Sequence, residues 1–259
     1  MDTATAKITV SDLSMGFGNR VIQQHLDFEI RRGEIFVIMG TSGCGKSTLL
    51  RHLVGLLEPL RGDISYDRRS FTGASEAERQ RQVRRFGVLF QQGALWSSLT
   101  VGENVALPIE EYTELSRAEI GELVDYKLSL VGLRGFAGFY PSELSGGMRK
   151  RAALARAMAL DPEVLFFDEP SAGLDPVTSH QLDETIQQLR DSLGATVVIV
   201  SHELASIFQI GDRALFLDGQ KRTMTALGAP AELLKNPPNP AVEAFLTRNH
   251  TEHPAGNSL

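Results

Sequence analysis

The apolar and polar positions of the chain change period several times, and each change marks an element. Residues 7–13 and 21–30 read as strands, joined by a turn at 16–19. Residues 34–39 read as a buried strand that runs into a glycine-rich loop and then a helix over 46–54. From 75 to 160 the pattern turns mostly helical. Three capping boxes support that reading: Ser75 with Glu78, Thr100 with Glu103, and Ser116 with Glu119 each place Glu three residues after a hydroxyl cap. Strands return at 164–167 and 196–200. Residues 214–217 and 220–225 flank Asp218-Gly219, which predicts a hairpin. Beyond Asn236, three prolines (Pro237, Pro238, Pro240) and a later small, polar stretch after Pro254 predict an extended segment ending in disorder. The alternation predicts an α/β fold around a largely parallel sheet, its β-rich core interrupted by a helical insert.

Composition narrows the picture without changing it. The 259 residues are 42% hydrophobic and 22% charged, ordinary for a soluble globular chain. A formal net charge of -6 argues against sequence-wide attraction to nucleic acid or anionic lipid. The single cysteine, Cys44, cannot form an intrachain disulfide and fits a reducing compartment. The first ten residues carry no signal-peptide apolar stretch. The longest apolar runs, at 35–39 and 197–200, fall far short of the ~20 residues that span a bilayer. Work at a membrane would therefore need a partner's helices.

Chemistry enters with three segments. Gly40, Thr41, Ser42, Gly43, Cys44, Gly45, Lys46, Ser47 and Thr48 match the phosphate-loop pattern G-x-x-x-x-G-K-[ST], between an expected strand and an expected helix. Glycine lets the backbone bend around phosphates with its N–H groups inward, and the helix starting near Lys46 adds its positive end. Lys46 is suited to bridging the β- and γ-phosphates, and Ser47 to ligating Mg²⁺. The second segment, 164–169, is a buried strand delivering Asp168 and Glu169 at its C-terminal end, where α/β folds bind ligands. Asp168 suits Mg²⁺, held through water, and Glu169 suits orienting or deprotonating an attacking water. This strand is expected to neighbour the one carrying the phosphate loop; alone, the two acids could equally cap a turn before Pro170. The third segment, Ser145, Gly146 and Gly147, opens an Ala-rich helix and reads as a second phosphate site or as an ordinary serine N-cap.

Taken together and in this order, the segments resemble the ABC ATPase family over roughly residues 7–234. Leu144-Ser145-Gly146-Gly147-Met148 is similar to that family's signature, with Met148 where many members have Gln. The resemblance implies a P-loop ABC ATPase fold with a RecA-like core, an N-terminal antiparallel β subdomain and an inserted α-helical subdomain. Core and β subdomain would span about 1–90 and 161–235, the insert about 91–160, and a Pro-rich tail 236–259. It implies ATP and Mg²⁺ as cofactors and hydrolysis of ATP as the reaction. It also implies residue roles: Phe17 stacks on adenine, or is a buried strand-end Phe. Gln91 senses Mg²⁺ and the attacking water and links them to a membrane subunit, with Gln92 as the competing candidate. Asp175 matches the D-loop, though it also reads as a helix N-cap before Pro176, and His202 contacts the γ-phosphate. Two copies would pack head to tail, each ATP held by Lys46 of one and Ser145 of the other.

Finer likeness lies in Phe90-Gln91-Gln92-Gly93-Ala94-Leu95-Trp96, in Thr100-Val101-Gly102-Glu103-Asn104, and in 142–151 with its methionine. These look like the ATPases of MCE-type lipid transporters, which implies a permease, an MCE-domain partner, phospholipid or hydrophobic cargo, and residence on the cytoplasmic face of a bacterial inner membrane. ATPases of non-lipid importers or exporters are the alternative. Neither a long coiled coil nor a second cassette, marks of ABC ATPases in DNA repair and translation, is present. Gly173 enlarges the usually compact D-loop. Trp96 reads equally as an exposed interface residue or a buried one, and Cys44 as a small tolerated residue or as a thiol whose modification blocks ATP. His25, His52, His180, His250 and His253 read as surface or packing residues.

Overall fold

The computed structural model describes residues 5–18, 20–91 and 93–247. Its first strands, β1 (Ala6–Phe17) and β2 (Arg20–Arg31), pair antiparallel. In β2, Leu26, Phe28 and Ile30 are buried while Asp27, Glu29 and Arg31 are exposed, the period-two pattern of a sheet with one wet face. Then come β3 (Ile35–Gly40) and α1 (Lys46–Leu53), and the chain returns through β4 (Arg61–Tyr66) and β5 (Arg69–Ser70). These complete a four-stranded antiparallel sheet ordered β2-β1-β4-β5.

Helix α2 (Glu76–Val83) leads into β6 (Phe86–Leu89), and α3 (Val101–Tyr112), α4 (Arg117–Leu130) and α5 (Gly146–Ala157) form the helical insert. All three expected capping boxes form, at the starts of α2, α3 and α4. The chain continues through β7 (Val164–Asp168), α6 (Pro176–Leu193), β8 (Thr196–Val200), α7 (Leu204–Ile210), β9 (Arg213–Asp218), β10 (Thr223–Gly228), α8 (Pro230–Lys235) and α9 (Pro240–Thr247). The second sheet is ordered β10-β9-β3-β8-β7-β6. It is parallel from β9 to β6, and only β10 runs antiparallel.

Every residue of β3, β7 and β8 is buried, because both faces of this sheet are covered. Alternate side chains feed different cores. Phe36, Ile38, Val164 and Phe166 pack toward the antiparallel sheet. Leu165 and Phe167 join a core with the insert helices, while Val37 and Met39 join a third with α7, α8 and α9. Full burial of each such side chain contributes about 1.5–3 kcal/mol.

Four expectations change. Strands β4 and β5 fall where no element was expected, and β6 lies inside the stretch read as helical; Phe86–Leu89 is too short for a period to separate from its helical flanks. The hairpin strand begins at Thr223 rather than Gln220, because the Asp218 carboxylate takes the N–H groups of Gln220 and Lys221 out of the ladder. Residues after Asn236 are not simply extended. Asn239 Oδ1 accepts from the N–H groups of Ala241 and Val242, Pro240 takes the first helical position, and Val242, Phe245 and Leu246 bury one face of α9. The remainder of the tail, expected to be disordered, lies outside the described residues.

A charged cluster ties the two sheets together. Buried Lys7 donates to Asp67 Oδ2 at 2.8 Å and to Glu163 Oε2 at 2.5 Å, and Arg85 bridges the same two carboxylates. The Arg85 and Lys7 hydrogen bonds hold the Glu163 carboxyl down at about 2, against an ordinary 4.5. A carboxylate depressed in the folded state stabilises fully above its unfolded pKa, and that contribution fades as pH falls through the folded value. Glu163→Gln is therefore expected to cost about 1 kcal/mol at pH 7, the screened worth of a half-exposed pair. The difference from wild type in chemical denaturation should shrink as pH falls from about 4.5 toward 2.

Candidate active site

The phosphate loop is shaped by glycines that no other residue could replace. At Gly40, with φ of 148°, a Cβ would lie 2.5 Å from the Leu217 carbonyl oxygen and 2.8 Å from Cys44 Sγ. At Gly45, with φ of 105°, it would lie 2.7 Å from Ile22 Cγ2. Lys46 is buried, and its Nζ donates to Gly40 O at 3.0 Å and Thr41 O at 3.2 Å. No side chain caps α1 and no acid occupies its first turn, so bare N–H groups and the positive helix end meet the loop. Behind the loop, fully buried Gln23 donates from Nε2 to Cys44 O at 2.7 Å and Asp218 O at 3.2 Å. Sequence reading passed over Gln23, because a single polar residue in a strand has no signal of its own.

The carboxylates stand one strand further away than expected. β8 lies between β3 and β7, so Asp168 and Glu169 do not neighbour the loop-bearing strand. Contact is restored by side chains: Ser47 Oγ donates to Asp168 Oδ1 at 2.8 Å. Burial pushes the Asp168 carboxyl up, the Ser47 hydrogen bond opposes that, and the charge of Glu169 adds to it. Glu169 adopts a left-handed backbone, φ 49°, a costly geometry for a non-glycine residue and one that clusters at functional sites. Its carboxylate is held from two sides. Gln91 Nε2 donates to Oε2 at 3.0 Å, and His202 Nδ1 lies 2.9 Å from Oε1. A carboxylate accepts only, so His202 Nδ1 carries a proton and donates it to Glu169. Gln91, Glu169 and His202 follow β6, β7 and β8, three neighbouring strands of the parallel sheet, and meet at their C-terminal edge. Gln92 lies outside the described residues.

On the insert side, Ser145 caps α5, its hydroxyl accepting from Met148 N at 3.2 Å. Gly147 is packed so closely that a Cβ would meet Thr178 Cγ2 at 2.5 Å, and at Gly146 it would lie 3.9 Å from Leu174. Asp175 caps α6, accepting from the N–H groups of Val177 and Thr178 at 3.1 Å. Gly173 takes φ of 77° in the intervening turn. The signature segment thus rests on the first turn of α6, just after Asp175, in its own chain, whereas the phosphate loop rests on Ile22, Gln23 and Leu217.

Phe17, at the end of β1, is 52% exposed and is not a buried strand-end residue. Trp96 is 60% exposed, which removes its core alternative. Buried Asn104 pins the backbone there: Oδ1 accepts from Trp96 N, and Nδ2 donates to the carbonyls of Trp96, Leu99 and Thr100. His25 is exposed beside Asp12, His180 is exposed beside Gln209, and His52 is buried against Leu57 O; His250 and His253 lie outside the described residues.

A glycine phosphate loop, a serine–aspartate pair and a carboxylate held between glutamine and histidine, on a parallel sheet with a helical insert, define a P-loop ATPase cassette. The profile described as ABC transporter matches residues 23–172, and the chain belongs to that family as an ATP-hydrolysing subunit. Among its relatives is the intermembrane phospholipid transport system ATP-binding protein MlaF of Haemophilus influenzae, 42% identical over 88% of this chain and 86% of that one. The probable ribonucleotide transport ATP-binding protein mkl of Mycobacterium tuberculosis is 40% identical over 92% of this chain and 66% of that one. A dimeric ATP-binding cassette in a post-hydrolysis state, bound to ADP and Pi, superposes with a TM-score of 0.76 at 28% identity, covering 86% of this chain and 98% of that one. Among the described residues no helix is long and apolar enough to cross a membrane.

Cys44 is buried beneath the loop, and burial pushes its thiol up despite the nearby Lys46 charge. Iodoacetamide at neutral pH is therefore expected to modify native Cys44 about tenfold or more slowly than the unfolded chain. Mass spectrometry of timed samples reads the rate, and equal labelling of native and unfolded protein would contradict the burial argument.

Proposed function

We propose that this chain powers a bacterial transporter that moves phospholipid or another hydrophobic molecule between inner membrane and outer envelope, working as a head-to-tail dimer on the cytoplasmic face of the inner membrane. The observation that carries the chemistry is the Glu169 carboxylate, held by Gln91 and His202 beside the Ser47–Asp168 pair. In this reading Glu169 orients the attacking water and takes its proton. His202 and Gln91 hold that carboxylate and meet the γ-phosphate side of the site, and Lys46 and residues 40–48 cradle the phosphates. Phe17 stacks on the base. Ser145, Gly146 and Gly147 of the second copy, with Asp175, close the site from across the dimer.

Ser47 hydroxyl, Asp168 carboxylate and the Gln91 amide oxygen are hard oxygen donors, a set that fits Mg²⁺. Among the described residues no three His, Cys, Asp or Glu side chains make a metal cage of their own, which fits an ion completed by nucleotide oxygens. When bound, Mg²⁺ would neutralise charge on the phosphates. Closure of the dimer is favoured while the γ-phosphate bridges both halves, and this difference in affinity moves the partner permease.

The lipid cargo is supported by likeness to MlaF, whose name specifies phospholipid. The MCE-domain partner rests on the resemblance of residues 90–96, 100–104 and 142–151 to ATPases of MCE-type transporters. A second reading, an ATPase for a non-lipid solute, is favoured by the comparable likeness to a protein named for ribonucleotide transport.

Glu169→Gln is expected to keep ATP binding, lower turnover by about 10²-fold or more, and trap an ATP-dependent dimer. A monomer on size exclusion with ATP would count against the scheme. Purification of the tagged chain from native membranes should bring down a permease, an MCE-domain protein and extractable phospholipid; a permease without lipid or MCE protein supports the second reading.

A further inference from the structure

One ammonium group joins three segments that the chemistry treats separately. Lys150 sits on α5, a turn after the signature glycines, and is half-buried. Its Nζ donates to Ala172 O at 2.8 Å and to Glu169 O at 3.2 Å. Glu169 is the residue with the left-handed backbone, and its N–H donates to Val200 O at 2.9 Å. The peptide groups on both sides of its Cα are therefore tied, one by the sheet and one by Lys150. Ala172 N in turn donates to Glu169 O at 3.2 Å, closing the turn that begins the D-loop. Burial depresses the Lys150 ammonium while the charges of Glu203 and Glu169 oppose that shift, so the ammonium stands in a field of two carboxylates.

We propose that Lys150 is a positioning residue for ATP hydrolysis: it fixes the backbone that aims the Glu169 carboxylate and locks the signature helix to the D-loop of the same chain. The inference rests on the reading of Glu169 as the group that activates water. Gly147 packs so closely on Thr178 that a Cβ would lie 2.5 Å from Thr178 Cγ2, and Thr178 is hydrogen-bonded to Asp175. This packing runs parallel to the Lys150 contacts, so signature, D-loop and Glu169 turn form one block. In the head-to-tail dimer this block has two ends: Ser145 addresses the partner's nucleotide, and Glu169 its own. A shift of α5 on meeting nucleotide would thus be passed to the carboxylate of the other site through a cation and two carbonyl oxygens. Methionine keeps the length and apolar stem of lysine but cannot donate, so Lys150→Met removes the tie and little else. Arginine still donates and should retain it, though its planar head is not a point charge.

The test is steady-state ATPase kinetics of the purified full-length chain, with nucleotide affinity and thermal melting measured alongside. Lys150→Met should lower kcat by about tenfold or more, the scale set by a misplaced catalytic group, with KM and nucleotide affinity within about twofold of wild type. Lys150→Arg should recover most of the rate. In wild type the dependence of rate on ATP should be sigmoidal, and in Lys150→Met it should flatten. A Lys150→Met enzyme with kcat within about twofold of wild type, or one that loses kcat, affinity and melting temperature together, overturns the positioning role. Glu169→Gln serves as the reference. If it turns over like wild type, the reading of Glu169 fails and this inference with it; if it is inactive while Lys150→Met is normal, only this inference fails.

Discussion

Strand β8 is the constraint on which the site depends. It is buried at every position and apolar from Val197 to Val200, and it lies between the strand carrying the phosphate loop and the strand carrying the two carboxylates. Two strand spacings, roughly 9–10 Å, therefore separate the backbones of β3 and β7. Helix α1 lies over that gap and brings Ser47 to Asp168, and His202, just beyond the end of β8, reaches Glu169 from the middle. The parallel register then fixes all these groups at one edge, so that their convergence is a property of the sheet before it is a property of any loop.

Around that edge, each functional segment is supported by a residue whose own chemistry is inert. Gln23 carries the phosphate loop, Asn104 the segment after Gln91, and Lys150 the turn after Glu169. All three donate to backbone carbonyls, and two are fully buried. A backbone oxygen moves only with its chain, so such contacts locate a segment more firmly than side-chain pairs can. The Lys7, Asp67, Arg85 and Glu163 cluster does comparable work at the opposite end of the strands, where it joins the antiparallel sheet to the parallel one.

What could be read in the sequence follows from range. Capping boxes at Ser75, Thr100 and Ser116 are local and all formed, and the phosphate loop carries its geometry in its glycines. Residues 164–167 and 196–200 announced buried strands, but apolar runs contain no information on strand order, and β8 came between β3 and β7 unforeseen. β6 is four residues flanked by helices, too short to show a period. The last helix was hidden by its own punctuation: Asn239-Pro240 begins α9, and Phe245 and Leu246 complete an apolar face after a proline-rich start. Gln23 and Lys150 have no pattern around them at all, since their partners are carbonyls distant in sequence or silent in composition.

Trp96 is an indole held out from a backbone that cannot yield. The Asn104 side chain takes one donor and three acceptors from the segment beneath it, so the main-chain freedom of that segment was already surrendered when α3 formed. Any surface that meets the ring has only two side-chain torsions left to immobilise. The backbone at Trp96, Leu99 and Thr100 is therefore a fixed support, and whatever meets the indole meets it without first having to order the chain that carries it.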